Sequence, residues 1–241
     1  MDGLALLAGA DIAGGHPPTL HGCFAMAPFA GRLGEGLLPW RGELHRLPLH
    51  ADPHAIHGTA VDAAWRVAEA TADRAVLEHD LAAPWPFAGT VRQELALSDD
   101  RLEARLSLHA QDEQPVTLGY HPWFARRLPR GGPVEVRFEP VQQYLRGDDG
   151  LPTGELVPPL AGPHDDCCLG VRSAPRLTWP GALALELDSP VEHWVLFDER
   201  DEAVCLEPQT GPPDAVHLGR ADVVPAGGEL VLPLTLRWTR L

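Results

Sequence analysis

The sequence predicts an all-β fold, a large antiparallel β-sandwich with few or no helices. Apolar and polar residues alternate in several stretches, which is typical of strands with one buried face and one wet face. We find no convincing helix of ten residues, because the 25 prolines and 24 glycines interrupt most candidates and mark frequent turns. Because the 241 residues contain no fixed-period repeat and no long linker, we expect a single domain over residues 1–241.

The first quarter of the chain predicts brief strands set among loops. Residues 1–22 predict one weak strand and a loop, and residues 23–58, rich in Pro, Gly and His, predict short strands only. Regular strands begin after Trp65, with candidates over residues 74–81 and 87–98. Apolar residues then alternate with polar ones from Arg101 to Ala110, after a Ser-Asp-Asp turn. Residues 98–110 therefore predict an antiparallel hairpin.

Three later stretches repeat the alternation, at residues 134–138, 183–187 and 229–238. The last is the longest, with Leu230, Leu232, Leu234, Leu236 and Trp238 on one face. Proline donates no hydrogen bond to a neighbouring strand, so Pro233 predicts an edge strand or a bulge there.

Composition excludes several classes of function. The formal net charge of −15 disfavours nucleic acid or an anionic membrane surface as a partner and favours a neutral substrate. The chain contains no lysine, which excludes Schiff-base chemistry and the phosphate-binding lysine of a P-loop. Its four cysteines form no C-x-x-C pair, and no run reaches transmembrane length. Since the N-terminus has no basic segment either, we expect a cytoplasmic protein with free thiols.

Two short motifs are candidates for catalytic chemistry. In Gly119–Phe124 a histidine, His121, stands directly before a proline and among three aromatic residues; in Cys205–Thr210 a glutamate, Glu207, also precedes a proline. Proline restricts the residue before it to extended backbone, so both side chains are held in a defined direction. His121 and Glu207 are therefore a candidate acid and base.

Two further residues are candidates for binding. Arg32 ends an apolar stretch, where its guanidinium would bind hydroxyls or orient a carboxylate. His57 precedes a glycine, which allows close approach of the backbone to a ligand. Because His45, His50, His54 and His57 have irregular spacing, we predict no metal site.

Taken together, these motifs resemble the aldose 1-epimerase (galactose mutarotase) family. The similar pieces occur in the family's order from Cys23 to Leu236: Pro28–Arg32, Pro53–Gly58 followed by Trp65, Trp85-Pro86, Gly119–Phe124, Asp165–Cys168 and Leu206–Thr210. The resemblance implies a galactose mutarotase-like supersandwich with an open sugar-binding cleft and no cofactor. It also implies that His121 is the general acid, that Glu207 is the general base, and that Arg32, His57 and Asp165 hold the sugar hydroxyls.

This sequence departs from the family in three places. The strands expected before the arginine motif are largely absent. Either the sheet has an uncovered edge, where we expect a homodimer to form or stability to be modest, or the real start codon lies upstream. Gly31 stands where the family usually has asparagine. Cys168 stands where it usually has an aromatic residue, if Asp165 rather than Asp166 faces the cleft.

The chemistry of anomer interconversion agrees with the assigned pair. One group must remove the proton of the anomeric hydroxyl while another protonates the ring oxygen. With ordinary pKa values of about 4.3 for glutamate and about 6.5 for histidine, Glu207 would be ionised and His121 able to supply a proton, and nearby carboxylates would favour its charged form. The sequence thus predicts an anomerase of free aldohexoses.

Three alternatives remain open at this stage. An epimerase of hexose 6-phosphates would need a cationic pocket, which Arg126 and Arg127 could supply. A catalytically silent sugar-binding protein would keep the cleft but would have no need of the acid and base pair. A polysaccharide-processing enzyme is compatible with the fold alone.

Overall fold

The computed structural model describes residues 3–9 and 18–241. It contains no α-helix in these residues; two 3-10 turns lie at Pro18–Leu20 and Gly34–Gly36. The strands, in chain order, are β1 (Cys23–Met26), β2 (Arg32–Leu33), β3 (Leu37–Trp40), β4 (Glu43–Arg46), β5 (Ala55–Ile56), β6 (Arg66–Ala70), β7 (Arg74–Asp80), β8 (Gly89–Leu97), β9 (Arg101–Ala110), β10 (Gln114–Val116), β11 (Gly119–Ala125), β12 (Glu135–Arg137), β13 (Gln142–Arg146), β14 (Pro152–Val157), β15 (Asp165–Leu169), β16 (Arg176–Trp179), β17 (Leu183–Asp188), β18 (His193–Phe197), β19 (Ala203–Gln209), β20 (Asp222–Val224) and β21 (Glu229–Arg240).

Two large antiparallel sheets share one hydrophobic core, which confirms the predicted sandwich. One sheet has seven strands in the order β1-β11-β19-β18-β15-β13-β14, and the other has eight in the order β12-β16-β17-β21-β9-β8-β7-β6. Phe124 and Leu206 enter the core from the first sheet, and Leu106, Leu185 and Leu232 enter it from the second. The paired strands β2–β5, β3–β4 and β10–β20 form smaller sheets.

The alternation that predicted the strands matches the observed burial in most places. The predicted hairpin is present, with β8 and β9 paired from Leu97–Leu102 to Gly89–Ala110. Leu106 and Leu108 are fully buried, while Glu103 and His109 point to solvent. The 134–138 stretch differs, because β12 is the outermost strand of its sheet and Val136 remains 38% exposed.

The prediction that Pro233 marks an edge strand or bulge is wrong. Strand β21 lies inside its sheet, between β17 and β9, and its register with β9 is unbroken across the Pro233–Arg105 pair. Pairing with β17, however, stops at Asp188–Thr235, two residues away from the proline. Because no residue of β17 pairs with Pro233, the amide donor that proline lacks is not needed on that side, and the proline is tolerated in an interior strand.

The N-terminal segment covers part of the edge that was expected to be open. Leu7 bridges Phe124, the amide of Ala8 donates to the carbonyl of Trp123, and the amide of Ala125 donates to the carbonyl of Leu6. These bonds extend the sheet beside β11 beyond the end of β1. Residues 1–2 and 10–17, which fall in the predicted weak strand and loop, lie outside the described residues. No helix in the described residues is long and apolar enough to cross a membrane.

We expect Leu106→Ala to destabilise the fold by about 2–5 kcal/mol, because it removes a fully buried side chain and leaves a cavity between the sheets. Leu97→Ala is the matched control, since Leu97 is 52% exposed at the end of β8; its effect should stay within about 0.5 kcal/mol. Urea unfolding followed by tryptophan fluorescence measures both. Equal losses in the two variants would contradict the position of the core.

Candidate active site

His121 lies in β11 with its imidazole held between two aromatic rings. Phe24 stacks on one side with ring centroids 4.7 Å apart, and Trp123 stacks with centroids 5.0 Å apart. The register of β1 with β11 sets the first contact, because Phe24 is the cross-strand partner of His121. The side chain is 6% exposed, and its Nδ1 makes no hydrogen bond to a described residue. Packing therefore fixes the ring so that Nε2 is the nitrogen presented to the neighbouring strand.

Glu207 lies opposite His121 on β19, at a place where the ladder between the two strands opens. The pairs Gly119–Gln209 and Trp123–Cys205 share one register, which sets His121 against Glu207, but no bridging pair forms between them. Pro122 and Pro208 lack the amide donors that such pairs require. The two prolines noted in the sequence thus open the ladder at the point where the side chains meet, with His121 Nε2 and Glu207 Oε1 3.2 Å apart.

Arg32 and His57 reach the same region from the small β2–β5 sheet, in which Arg32 pairs with Ile56. His57 follows directly, with a left-handed φ of 63°, and its ring contacts those of Phe24 and His121. Gly58 permits this turn, since its backbone touches that of Ala27 and a Cβ there would collide with the Ala27 carbonyl. The strained backbone directs the His57 ring toward His121.

Asp165, at the start of β15, is held by two arginines. Arg32 Nη1 donates to Asp165 Oδ2 at 2.9 Å, and Arg146 Nη1 lies 3.3 Å from the same oxygen. Asp166 instead contacts His164, whose Nδ1 lies 3.1 Å from Asp166 Oδ2. Of the two aspartates, it is Asp165 that shares the cleft with the other four candidates.

All five candidate residues line one cleft of about 370 Å³. The volume and the mix of aromatic walls with a few polar groups are typical of a small-molecule site. A larger and more open depression of about 610 Å³ lies elsewhere, bounded by residues such as Val141, Arg172 and Trp194. Since the larger depression contains none of the five candidate residues, we assign the smaller cleft as the candidate site.

Burial gives the central pair unusual proton affinities. Burial, reinforced by the charge of Asp165, raises the pKa of Glu207 well above its ordinary value, against the opposing effects of Gln209 and Arg32. Burial, reinforced by His57, lowers the pKa of His121 well below its ordinary value. Burial therefore works against the ionised Glu207 and the charged His121 that ordinary pKa values lead one to expect, because desolvation disfavours the charged form of each group.

Three buried side chains, two of which line the cleft, could together hold a metal ion. His121, Cys205 and Glu207 offer ligand atoms that all lie within 4.8 Å of one another, and zinc accepts these donor types. Burial raises the pKa of the Cys205 thiol well above its ordinary value. A metal here would therefore have to displace protons that burial stabilises on both Cys205 and Glu207.

The histidines that suggested a metal site in the sequence do not lie together as a ligand set. His54 is buried, accepts a hydrogen bond from the Glu35 amide through Nδ1 and contacts the Asp149 carbonyl through Nε2. His45 packs against the ring of Phe87. His57 lies in the cleft.

Sequence reasoning missed four residues of the site. Trp123 and Gln209 each lie two positions beyond a candidate on the same strand, so the period-two rule would have placed them on the same face. Phe24 and Arg146 come from strands whose register with the candidates the sequence does not reveal. Gln209 also touches Glu207, with Nε2 donating to Glu207 Oε2 at 3.2 Å.

The fold and the cleft define a β-sandwich protein with a buried contact between a histidine and a glutamate in a cleft of small-molecule size. A sequence model of the aldose 1-epimerase family matches residues 4–217. The chain belongs to this family, which implies epimerase-type activity on a sugar. No curated protein matches the chain in sequence.

Solved structures with low sequence identity share the fold. A putative aldose 1-epimerase from Escherichia coli K12 is 21% identical over 91% of this chain and 84% of its own, with a TM-score of 0.79. A galactose mutarotase-like protein from Clostridium acetobutylicum is 16% identical, covering 93% and 81%, with a TM-score of 0.79. A GalM/aldose epimerase homologue from C. elegans is 13% identical, covering 99% and 88%, with a TM-score of 0.80.

We expect His57→Asn to make the fold less sensitive to acid. Burial, together with the charge of Arg32, lowers the pKa of His57 to about 3. The unfolded chain takes up a proton below about pH 6.5 that the folded protein does not, so stability falls as pH decreases from there toward 3. Removing the imidazole removes this difference, and asparagine tolerates the left-handed backbone.

The measurement is the free energy of unfolding in urea at several values between pH 7 and pH 4. The slope of the variant should be shallower by up to about 1.4 kcal/mol per pH unit, the equivalent of one proton. Loss of His57 also relieves its effect on the pKa of His121, which acts in the same direction. Parallel pH profiles for the two proteins would show that His57 is not buried in its neutral form.

Proposed function

We propose that this protein interconverts the α and β anomers of free aldohexoses, such as glucose or galactose, by general acid and base catalysis. The observation that carries the proposal is the 3.2 Å contact between His121 Nε2 and Glu207 Oε1 in the floor of the cleft. Both side chains are almost fully buried, at 6% and 3% exposure. Buried titratable groups with shifted pKa values that line a cleft are typical of catalytic sites.

The pair carries the proton that the reaction requires. Burial favours the neutral form of each group, and transfer of a proton from Glu207 to His121 gives a carboxylate and an imidazolium without changing the net charge. The Glu207 carboxylate then removes the proton of the O1 hydroxyl while His121 protonates the ring oxygen O5. The C1–O5 bond breaks and an open-chain aldehyde forms.

Rotation about the C1–C2 bond presents the other face of the aldehyde. The O5 hydroxyl attacks C1 and returns its proton to His121, while Glu207 gives its proton back to O1. Atoms and charges balance over the cycle, and no electron transfer takes place, so the reaction needs no cofactor. Positioned general acids and bases supply about 10²–10⁴-fold each, which suits a reaction that also proceeds slowly in water.

Arg32, His57 and Asp165 are proposed to hold the sugar hydroxyls. Asp165 is an acceptor already oriented by Arg32 and Arg146, and Arg32 lines the cleft beside it. His57 Nδ1 is buried and makes no hydrogen bond to a described residue, so a hydroxyl would satisfy it.

The charge balance of the cleft supports a neutral sugar over a hexose 6-phosphate. Arg32 and Arg146 are paired with Asp165, and Arg200 Nη1 donates to Glu202 at 3.0 Å. Arg126, expected as a phosphate ligand in the alternative function, instead donates to the carbonyls of Asp198 and Arg200. A phosphate would have to compete with carboxylates for the arginines of the cleft.

We expect Glu207→Gln to abolish the acceleration of mutarotation, a loss of at least about 10²-fold, because an amide cannot accept the O1 proton. Polarimetry on freshly dissolved α-D-glucose and α-D-galactose measures the rate, and thermal unfolding verifies the fold. Glu155→Gln, an exposed position on β14, is the control and should keep the wild-type rate.

His121→Ala should lose the acceleration in the same assay, since nothing then protonates the ring oxygen. A Glu207→Gln protein that folds and retains a rate near that of the wild type would remove Glu207 from the mechanism. A wild-type protein that binds these sugars without accelerating mutarotation would favour the silent binding protein instead.

A further inference from the structure

Gln209 is a polar neighbour of the proposed base that the mechanism above does not use. It follows Glu207 by two residues on β19, so both side chains lie on the same face of the strand. Its Nε2 donates to Glu207 Oε2 at 3.2 Å, the carboxyl oxygen that does not face His121. The side chain is fully buried and lines the cleft.

The other end of the Gln209 amide has no partner. Its Oε1 is buried and accepts no hydrogen bond from a described residue. If the amide is turned over, the carbonyl oxygen accepts the proton of a neutral Glu207 and the NH₂ group becomes the unpaired end. In both orientations one end of the amide is bound to Glu207 and the other lies unpaired in the wall of the cleft. A buried polar group without a partner costs free energy, which a ligand that binds it would recover.

The order of residues along the floor of the cleft indicates which sugar group would reach this amide. His121 is proposed to face O5 and Glu207 to face O1, both of which are bonded to the anomeric carbon C1. The remaining ring neighbour of C1 is C2, which lies on the side away from O5. Gln209 is hydrogen-bonded to Glu207 Oε2, whereas Glu207 Oε1 contacts His121, so Gln209 occupies the carboxyl oxygen that does not face the group proposed to protonate O5. The C2 hydroxyl is therefore the group nearest to the free end of the amide.

We propose that Gln209 is a substrate-binding and specificity-determining residue that recognises the hydroxyl on C2 of the aldose. This inference rests on the proposed anomerase function and deepens it. The amide connects the C2 hydroxyl to the carboxyl group of Glu207, so a sugar with the correct C2 hydroxyl also holds the base in place. The substrate class becomes aldoses that carry a free hydroxyl next to the anomeric carbon.

The test compares D-glucose with 2-deoxy-D-glucose in the wild type and in Gln209→Met, a variant of similar shape that lacks the amide. We measure kcat/KM by polarimetry and form the ratio of glucose to 2-deoxyglucose for each protein. Intrinsic differences in reactivity between the sugars cancel when the two ratios are compared. The ratio should fall in Gln209→Met by about 5- to 150-fold, the effect of one buried polar group losing its partner. An unchanged ratio would overturn the proposal, because a purely structural role lowers both sugars equally.

Gln143→Met provides the matched control. Gln143 is also buried, but its Oε1 accepts the amide of Leu160 at 2.8 Å and the side chain does not line the cleft. This variant should keep the wild-type sugar ratio whatever its stability. If Gln209→Met does not fold, Gln209→Ala takes its place in the same comparison.

Failure of the proposed function would be recognised separately. If the wild type accelerates neither sugar, the anomerase function fails, and the same ratio is taken from dissociation constants measured by calorimetry. A preference for glucose over 2-deoxyglucose that disappears in Gln209→Met would still support recognition of the C2 hydroxyl. Equal affinities in the wild type, or no binding of either sugar, would overturn it.

Discussion

The close contact between His121 and Glu207 is the constraint on which the rest of the cleft depends. His121 Nε2 and Glu207 Oε1 lie 3.2 Å apart, and both of these titratable side chains are almost fully removed from water. Only a fixed backbone can keep such groups from moving toward water. Strands β11 and β19 provide that backbone, because each has a paired neighbour on both sides. The sandwich core beneath them, which includes Phe124 and Leu206, makes this part of the sheet rigid.

The charged wall of the cleft is arranged around Asp165 in a comparable way. One carboxylate receives Arg32 from the β2–β5 sheet and Arg146 from β13, so two separate parts of the chain meet at a single group. Arg126 instead donates hydrogen bonds to the carbonyls of Asp198, Arg200 and Ala203, at and before the start of β19. The same segment carries Arg200, whose guanidinium lies over the ring of Trp123, 5.5 Å from its centroid. These arginines therefore help to hold the backbone and the aromatic side chain around the cleft, in addition to contributing charge.

Much of the fold could be predicted from local pattern, because alternation reports which face of a strand is buried. It fails where the position of a strand in its sheet decides the outcome. Val136 shows the pattern but lies on the outermost strand, and Pro233 lies in an interior strand at a point that β17 does not reach. Neither position can be read from the neighbouring residues, since both depend on pairing with distant segments.

The site shows the same division between local and long-range information. His121 and Glu207 could be singled out because a proline follows each, and Gln209 and Trp123 could have been found by counting two residues onward. The stacking of Phe24 on His121 depends on the register of β1. The direction in which the pKa values of Glu207 and His121 shift depends on burial, which a short motif does not reveal.

Gly31 has a consequence for which substitutions this sequence tolerates. Its φ of 67° would suit asparagine, but a Cβ at this position would lie 2.7 Å from Cγ of Pro213. Pro213, in the loop after β19, therefore occupies the space that a side chain at position 31 would require. The two positions are sterically coupled, so any residue larger than glycine at position 31 requires Pro213 to move or to be replaced.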